Sequence, residues 1–247
     1  MRAIILAAGK GTRLQSEKFN LPKVLRELCG KPLIGHVLNN TSFIAPEDTA
    51  IVVGYMHEKV EAAIGGSYKY SLQTEQKGTG HAVLAAEEHF TDYDGDVIIL
   101  FGDMPMFTRE IYEGVINKHQ ESGADLTILT AIADAPLPYG RIIRDDEGKV
   151  SDIVEQKDAT EEQKAIRELN VGIFVAKSRV LFEALHKIGN NNAQGEYYLT
   201  DVPKILIREG KAVDTHTIHD DVAIVGVNTI EDLEFCEKHM KERMAND

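Results

Sequence analysis

Apolar residues in this chain fall into short unbroken runs separated by amphipathic stretches. Runs suited to strands buried on both faces occur at Ala3–Ala8, Ala50–Val53, Val97–Phe101 and Leu126–Ala133. Between them, helical spacing is found at Leu33–Asn40, Glu58–Ile64, Gly80–His89 and Arg109–Ser122, where Ile111, Val115 and Ile116 mark one face. Strands alternating with helices over short connections predict an α/β fold with a Rossmann-like, doubly wound, mostly parallel sheet. The rhythm changes after Pro136. Arg141–Arg144 and Lys149–Glu155 flank an Asp-Asp-Glu-Gly turn and predict a β-hairpin. A strand at Val171–Ala176, helices at Arg179–Lys187 and Tyr198–Glu209, and strands at Ala212–Thr217 and Val222–Val227 are expected next. A charged amphipathic helix is expected from Thr229 onward, with Glu234–Arg243 forming its solvated face. No internal repeat or linker interrupts the pattern, so the expectation is one unit in two lobes.

The 247 residues suit one large domain, or a domain with a modest subdomain. A net charge of −13 argues against sequence-blind nucleic-acid binding, which needs a basic surface. It leaves room for a phosphorylated small molecule held by local cations and a metal. No apolar run approaches the roughly 20 residues of a membrane span, so no membrane association is expected. The opening MRAIILAAGKG reads as a strand and a glycine turn, not a cleavable leader. Two cysteines, Cys29 and Cys236, make no disulfide framework, which points to a reducing, cytoplasmic setting.

Candidate chemistry starts after the first strand, in Leu6-Ala7-Ala8-Gly9-Lys10-Gly11-Thr12-Arg13. Small residues let backbone N–H groups approach a ligand closely, and consecutive amides form an anion nest. Arg13 adds a planar fork of donors suited to phosphate, and Lys23 follows a rigid proline in Leu21-Pro22-Lys23-Val24-Leu25. Neither G-x-G-x-x-G nor the Walker pattern is present, which speaks against a dehydrogenase and a P-loop enzyme. Asp103 follows the buried-looking run ending at Phe101, at the carboxyl end of a strand where α/β sheets bind ligands. Its carboxylate suits a magnesium ion that keeps waters and bridges phosphates, or alternatively a turn or helix cap. Asn228 precedes a helix and could cap it. Gln73 can donate and accept, as reading a nucleobase requires. The histidines show no metal-binding spacing.

These segments carry a resemblance. LAAGKGTR followed by PKVL and then GKPLIGHV is similar to the signature of the sugar-nucleotide pyrophosphorylases, in particular the bacterial enzymes making UDP-N-acetylglucosamine. The match continues in order through Leu72–Ala82, Phe101–Pro105, Tyr139–Ile142, Ile153–Glu155, Glu168–Gly172, Asn192–Asp201 and Gly226–Asn228. The resemblance implies a nucleotidyltransferase fold with a smaller, hairpin-containing sugar-binding lobe. It divides the chain into a nucleotide lobe (1–135), a sugar lobe (136–228) and a terminal helix (229–247). It implies a uridylyltransferase that joins UTP to N-acetylglucosamine 1-phosphate and releases pyrophosphate, with Mg²⁺ as cofactor. Arg13 and Lys23 are then the catalytic cations. Leu6, Ala7, Ala8, Gly9, Gln73, Gly78, Thr79 and Gly102 bind the nucleotide. Gly140, Glu155 and Asn170 bind the sugar, and Asp103 and Asn228 hold the metal. The Asn192–Asp201 segment is expected to wall the sugar pocket. His81 is set aside as a base, because an ionised phosphate nucleophile needs none.

The match departs in three places. Nine residues separate Arg13 from Lys23, more than in the family pattern, which enlarges the loop over the phosphates. Phe101 stands where a tyrosine is usual. Hexapeptide repeats are absent, so no acetyltransferase domain is expected. Another nucleotide and sugar phosphate pair (dTTP, CTP or glucose 1-phosphate), or a silent nucleotide-sugar sensor, are the competing readings.

Overall fold

The structure is a computed structural model, and it describes residues 1–134 and 137–246. The chain opens with strand β1 (Arg2–Ala7), a loop of three 3₁₀ turns, and a small ribbon of β2 (Glu27–Leu28) and β3 (Lys31–Pro32). Then come α1 (Leu33–Asn40), β4 (Thr49–Val53), α2 (His57–Ile64), β5 (Lys69–Leu72), α3 (Thr79–Leu84), β6 (Asp96–Phe101), α4 (Arg109–Ser122) and β7 (Leu126–Ile132). The second part holds the hairpin β8 (Gly140–Arg144) and β9 (Val150–Val154), α5 (Glu161–Lys164) and β10 (Glu168–Lys177). It closes with α6 (Ser178–Leu185), α7 (Asp201–Arg208), β11 (Val213–Ile218) and α8 (Ile230–Asn246).

The main sheet runs β11-β7-β10-β6-β1-β4-β5, and the hairpin joins it where β8 pairs with β10. Pairs β1–β4, β1–β6, β4–β5 and β7–β11 are parallel, while β10 lies antiparallel between β6 and β7. The mostly parallel α/β sheet expected from the apolar runs is therefore present, with one reversed strand in its middle. Chain order turns at β1, since β4 and β5 extend the sheet to one side and β6 begins the other. The crevice at the carboxyl ends of β1 and β6 is thus a topological switch point, where open α/β sheets receive ligands.

The strands are apolar throughout because both faces are covered. Along β1, Ala3, Ile5 and Ala7 enter one core, while Ile4, Leu6 and Ala8 enter the other. A smaller third core gathers Leu14, Leu28, Leu33, Met106, Val227 and Cys236 beneath α8. It ties the first loop, through Leu14, to the end of the chain. Both cysteines are free thiols. Among the described residues no helix is long and apolar enough to cross a membrane.

Several expectations are corrected. The apolar run at Val222–Val227 is not a strand but a series of turns. Asp220 Oδ1 accepts from the Val222 and Ala223 amides, and the Val227 amide donates to the Asp103 carbonyl at 2.9 Å. With its backbone satisfied that way, the segment buries Ala223, Ile224 and Val227 without joining a ladder. The helix expected at Gly80–His89 divides into α3 and a 3₁₀ turn at Glu87–His89, and the one expected from Tyr198 begins at Asp201. Strand β5 was not anticipated: only Ser71 of its four residues is buried. The expected lobe boundary at 135 and 136 lies outside the described residues.

Candidate active site

Four of the expected site residues meet where the first loop, the end of β6 and the start of α8 converge. Lys23 Nζ donates to Asp103 Oδ2 and, at 2.8 Å, to Asn228 Oδ1. Arg13 Nη2 lies 3.3 Å from the same Asn228 oxygen. Lys23 is buried whereas Arg13 is exposed. Lys23 reaches this point because Gly11 lies against its stem. Gly11 is left-handed (φ +71°), and a Cβ there would sit 2.6 Å from Lys23 Cβ. The longer stretch before Lys23 folds as a 3₁₀ turn (Ser16–Phe19) between two left-handed residues, Gln15 and Asn20. It is braced by Arg26, which donates to the Leu14 carbonyl at 2.8 Å and stacks over the Phe19 ring. The extra length therefore leaves Arg13 beside Asn228.

Asn228 does not cap α8. Thr229 Oγ1 accepts from the Asp232 amide, while Asp232 Oδ2 accepts from the amides of Asn228 and Thr229. This reciprocal cap frees the Asn228 side chain. Its Nδ2 donates to the Gly226 carbonyl at 3.1 Å, which turns Oδ1 toward Lys23. Two oxygens from distant parts of the chain thus converge on one cationic nitrogen. Among the described residues no three His, Cys, Asp or Glu cluster as a metal site. A cation here would take two protein oxygens and find its other ligands elsewhere, which fits magnesium with water and phosphate.

A cavity of about 240 Å³ opens over the switch point, lined by Leu6, Ala7, Ala8, Gly9, Lys23, Gln73, Gly78, Thr79 and Asp103. Gly102, expected at the nucleotide, is buried and not among the residues lining this cavity; its amide donates to the Leu6 carbonyl at 2.9 Å. Gln73 is buried, and its amide continues the ladder by donating to the Val53 carbonyl at 2.8 Å. Its side-chain Nε2 lies 3.1 Å from both the Gly78 carbonyl and His81 Nδ1. Gly78 has φ +113°, and a Cβ there would meet the Tyr197 carbonyl at 2.6 Å. The close approach lets Gly80 and Tyr197 pair by backbone, so the Asn192–Asp201 segment braces the Gly-Thr-Gly turn.

A second cavity of about 250 Å³ shares Thr79, Phe101 and Asp103 with the first and extends to Tyr139, Gly140, Glu155, Asn170, Gly172, Thr200 and Asn228. Here Asn170 and Thr200 are buried and Glu155 is half-buried. Thr200 Oγ1 donates to Glu155 Oε1 at 2.8 Å. Burial, reinforced by Asp158, Asp201 and Glu196, nevertheless pushes the Glu155 carboxyl above its ordinary range. Asn170 Oδ1 accepts from the Gly172 amide at 3.2 Å, leaving Nδ2 for a ligand. The β10–β7 register slips between Asn170 and Phe174, a bulge centred on left-handed Gly172 that packs against the Phe101 ring. A wider cleft of about 840 Å³ continues outward past Arg13, Lys157, Gln194 and Asp232.

Some residues at this site were not singled out from sequence. Tyr139 accepts from the Gly226 amide and donates to the Ile224 carbonyl, fastening the second cavity to the turns before α8. Burial raises its phenol pKa far above the usual value, so it remains a donor. Arg141 is almost wholly buried and donates to the Tyr139 and Lys164 carbonyls. Desolvation lowers its pKa. Thr200 falls within the segment expected to wall this pocket. The single signal for each was its place inside a matched stretch.

A switch-point cleft with a phosphate-suited loop, two converging oxygens and two joined cavities is the equipment of a nucleotidyl-transfer enzyme. Residues 2–222 match the family model described as Nucleotidyl transferase, and the chain belongs to that family. More particularly, it is 44% identical over 97% of its length to the Bifunctional protein GlmU of Geobacillus thermodenitrificans (strain NG80-2), and covers 53% of that relative. It is 45% identical over 98% of its length to the Bifunctional protein GlmU of Latilactobacillus sakei subsp. sakei (strain 23K), covering 52% of it. The chain thus spans about half the length of these relatives. Among solved structures, a UDP-glucose pyrophosphorylase complexed with UDP-glucose superposes with a TM-score of 0.77 at 17% identity, covering 98% of each chain, which establishes the shared fold.

Proposed function

We propose that this chain transfers a uridylyl group from UTP to N-acetylglucosamine 1-phosphate, forming UDP-N-acetylglucosamine and pyrophosphate in the cytoplasm. The observation that carries the reading is the meeting of Lys23, Arg13, Asp103 and Asn228 at the junction of the two cavities. The identity of 44–45% to GlmU proteins over nearly the whole chain supports this substrate pair.

The nucleophile is a phosphate oxygen of the sugar phosphate, already ionised near neutral pH, so no general base is needed. A new O–P bond forms at the α-phosphorus of UTP. The bond to the oxygen bridging the β-phosphate breaks in line, and its electron pair leaves with pyrophosphate. The obstacle is bringing an anion to a polyanion, so the protein's task is positioning and charge neutralisation. Lys23 and Arg13 would neutralise the phosphates and the departing pyrophosphate. Backbone groups of Ala7, Ala8 and Gly9 would follow the nucleotide closely, with Gly102 packed behind Leu6 to leave them room, and Gln73 with the Gly78-Thr79 backbone would read the base. Gly140, Glu155 and Asn170 would hold sugar hydroxyls and the N-acetyl group. Asp103 and Asn228 would hold Mg²⁺, which when bound supplies charge neutralisation on the phosphates.

The test is pyrophosphate release with magnesium, UTP, CTP or dTTP, paired with N-acetylglucosamine 1-phosphate or glucose 1-phosphate. Release confined to UTP with the N-acetyl sugar is expected. Release with another pair corrects the substrates. No release with any pair, alongside sugar-nucleotide binding, replaces the enzyme with a silent sensor.

A further inference from the structure

We infer that His81 is a positioning residue for nucleotide choice, holding the Gln73 carboxamide in the orientation that turns an acceptor toward the base. The inference rests on the proposed nucleotide site. The two ends of a carboxamide are nearly the same size, so its neighbours decide which end faces a ligand. The Gly78 carbonyl, 3.1 Å from Gln73 Nε2, can only accept. His81 Nδ1, at the same distance from Nε2, accepts when the ring carries its proton on Nε2. Both demands agree, and together they use both N–H bonds of the Gln73 amide. The remaining end, Oε1, is the one Gln73 has for a base in the cavity it lines.

An acceptor at this point suits the imide N–H of uracil or thymine. It opposes the lone pair that cytosine presents at the same ring position. Reversing the amide would set Gln73 Oε1 against the Gly78 carbonyl and leave His81 without its donor. The His81 ring is carried on α3, directly after the Gly-Thr-Gly turn, and lies beside Tyr197 with ring centroids 6.5 Å apart. With its proton on Nε2, it serves as the second acceptor for the Gln73 amide. A device of this kind separates UTP from CTP and is blind to a methyl group on the far edge of the ring.

The test compares kcat/KM for UTP, CTP and 5-methyl-UTP in the wild type, H81L, H81N, Q73A and the Q73A/H81L double variant. In H81L the UTP-to-CTP ratio is expected to fall roughly fivefold to tenfold, mainly through KM, because Gly78 still holds one amide N–H. The UTP to 5-methyl-UTP ratio stays constant. H81N, whose Oδ1 can accept in place of Nδ1, keeps the wild-type ratio within about twofold. Adding H81L to Q73A changes nothing further, since His81 acts only through Gln73. An unmoved ratio in H81L, an equal loss in H81N, or a full H81L effect in the Q73A background overturns the inference. Nitrogen NMR of the wild-type imidazole needs no variant: a proton on Nδ1 at neutral pH also overturns it. A wild type that prefers no imide nucleotide defeats the functional proposal as well, whereas a UTP-selective enzyme unmoved by H81L defeats this inference alone.

Discussion

At the end of the cleft proposed for the nucleotide, a run of small residues lines the cavity. Ala7, Ala8, Gly9 and Gly78 line it with little or no side chain standing in the way of their backbone groups. At the end proposed for the sugar, the polar groups are side chains oriented by other residues: half-buried Glu155 by Thr200, and buried Asn170 by the Gly172 amide. A backbone site is specified by short contiguous turns. A side-chain site is specified by contacts between strands and helices far apart in the chain. The two ends should therefore fail differently, and the junction between them should fail worst.

At the junction, Asp103→Ala is expected to abolish magnesium-dependent turnover, and Lys23→Ala to lower kcat/KM by roughly 10²–10³, the usual cost of one electrostatic contact to a reacting centre. Both variants should still bind the sugar phosphate, since neither touches Glu155 or Asn170. Near-normal turnover in Asp103→Ala removes the metal assignment. A loss below about threefold in Lys23→Ala, far short of such a contact, removes Lys23 from the reaction.

The sugar end predicts a split instead. Glu155→Gln should raise KM for the sugar phosphate roughly tenfold, as losing a charged hydrogen-bond acceptor does, while KM for UTP holds. Glu155 also makes a pH prediction. Its pKa is raised in the folded protein, so between the unfolded and folded values the native state binds more protons than the unfolded chain. Its stabilising contribution is thus complete below the unfolded pKa and lost as pH rises through the folded one. Glu155→Gln should melt higher than wild type at neutral pH, with the advantage vanishing in acid. At this chain length each kcal/mol corresponds to about 2–4 °C. A constant difference across pH would assign the effect to packing.

The same contrast explains what could be read beforehand. Helices Leu33–Asn40 and Arg109–Ser122 fall on their expected limits, and β1 and β6 on nearly theirs, because unbroken apolar runs and flanking turns are local signals. The loop carrying Arg13 and Lys23 was legible for the same reason. Strand β5 was not, since a half-exposed edge strand with one buried residue has no apolar run. Val222–Val227 misled in the opposite direction, being apolar and buried while its backbone bonds go to Asp220 and Asp103. The freedom of the Asn228 side chain depends on the cap between Thr229 and Asp232, which helix-start spacing alone does not reveal. Thr200, Tyr139 and the His81–Gln73 bond needed the tertiary structure, because each is a contact and not a motif.

The smallest expected effect belongs to Gly172→Ala, and it probes the sugar end through its backbone. Gly172 sits at φ +85°, and a methyl group there would lie 2.9 Å from Phe101 Cε2. Left-handed strain and that contact together should cost about 1–3 kcal/mol of stability. The Gly172 amide is also the donor that orients Asn170, so a shift of the bulge moves Asn170 without changing its chemistry. KM for the sugar phosphate should rise by about two- to fivefold, a displacement effect, with KM for UTP unchanged. Phe101 borders both cavities, however, so a ring displaced by the new methyl group could press on either. Equal changes in the two KM values would show that Phe101 couples the ends, and that the division between a backbone-built and a side-chain-built half breaks down at this ring.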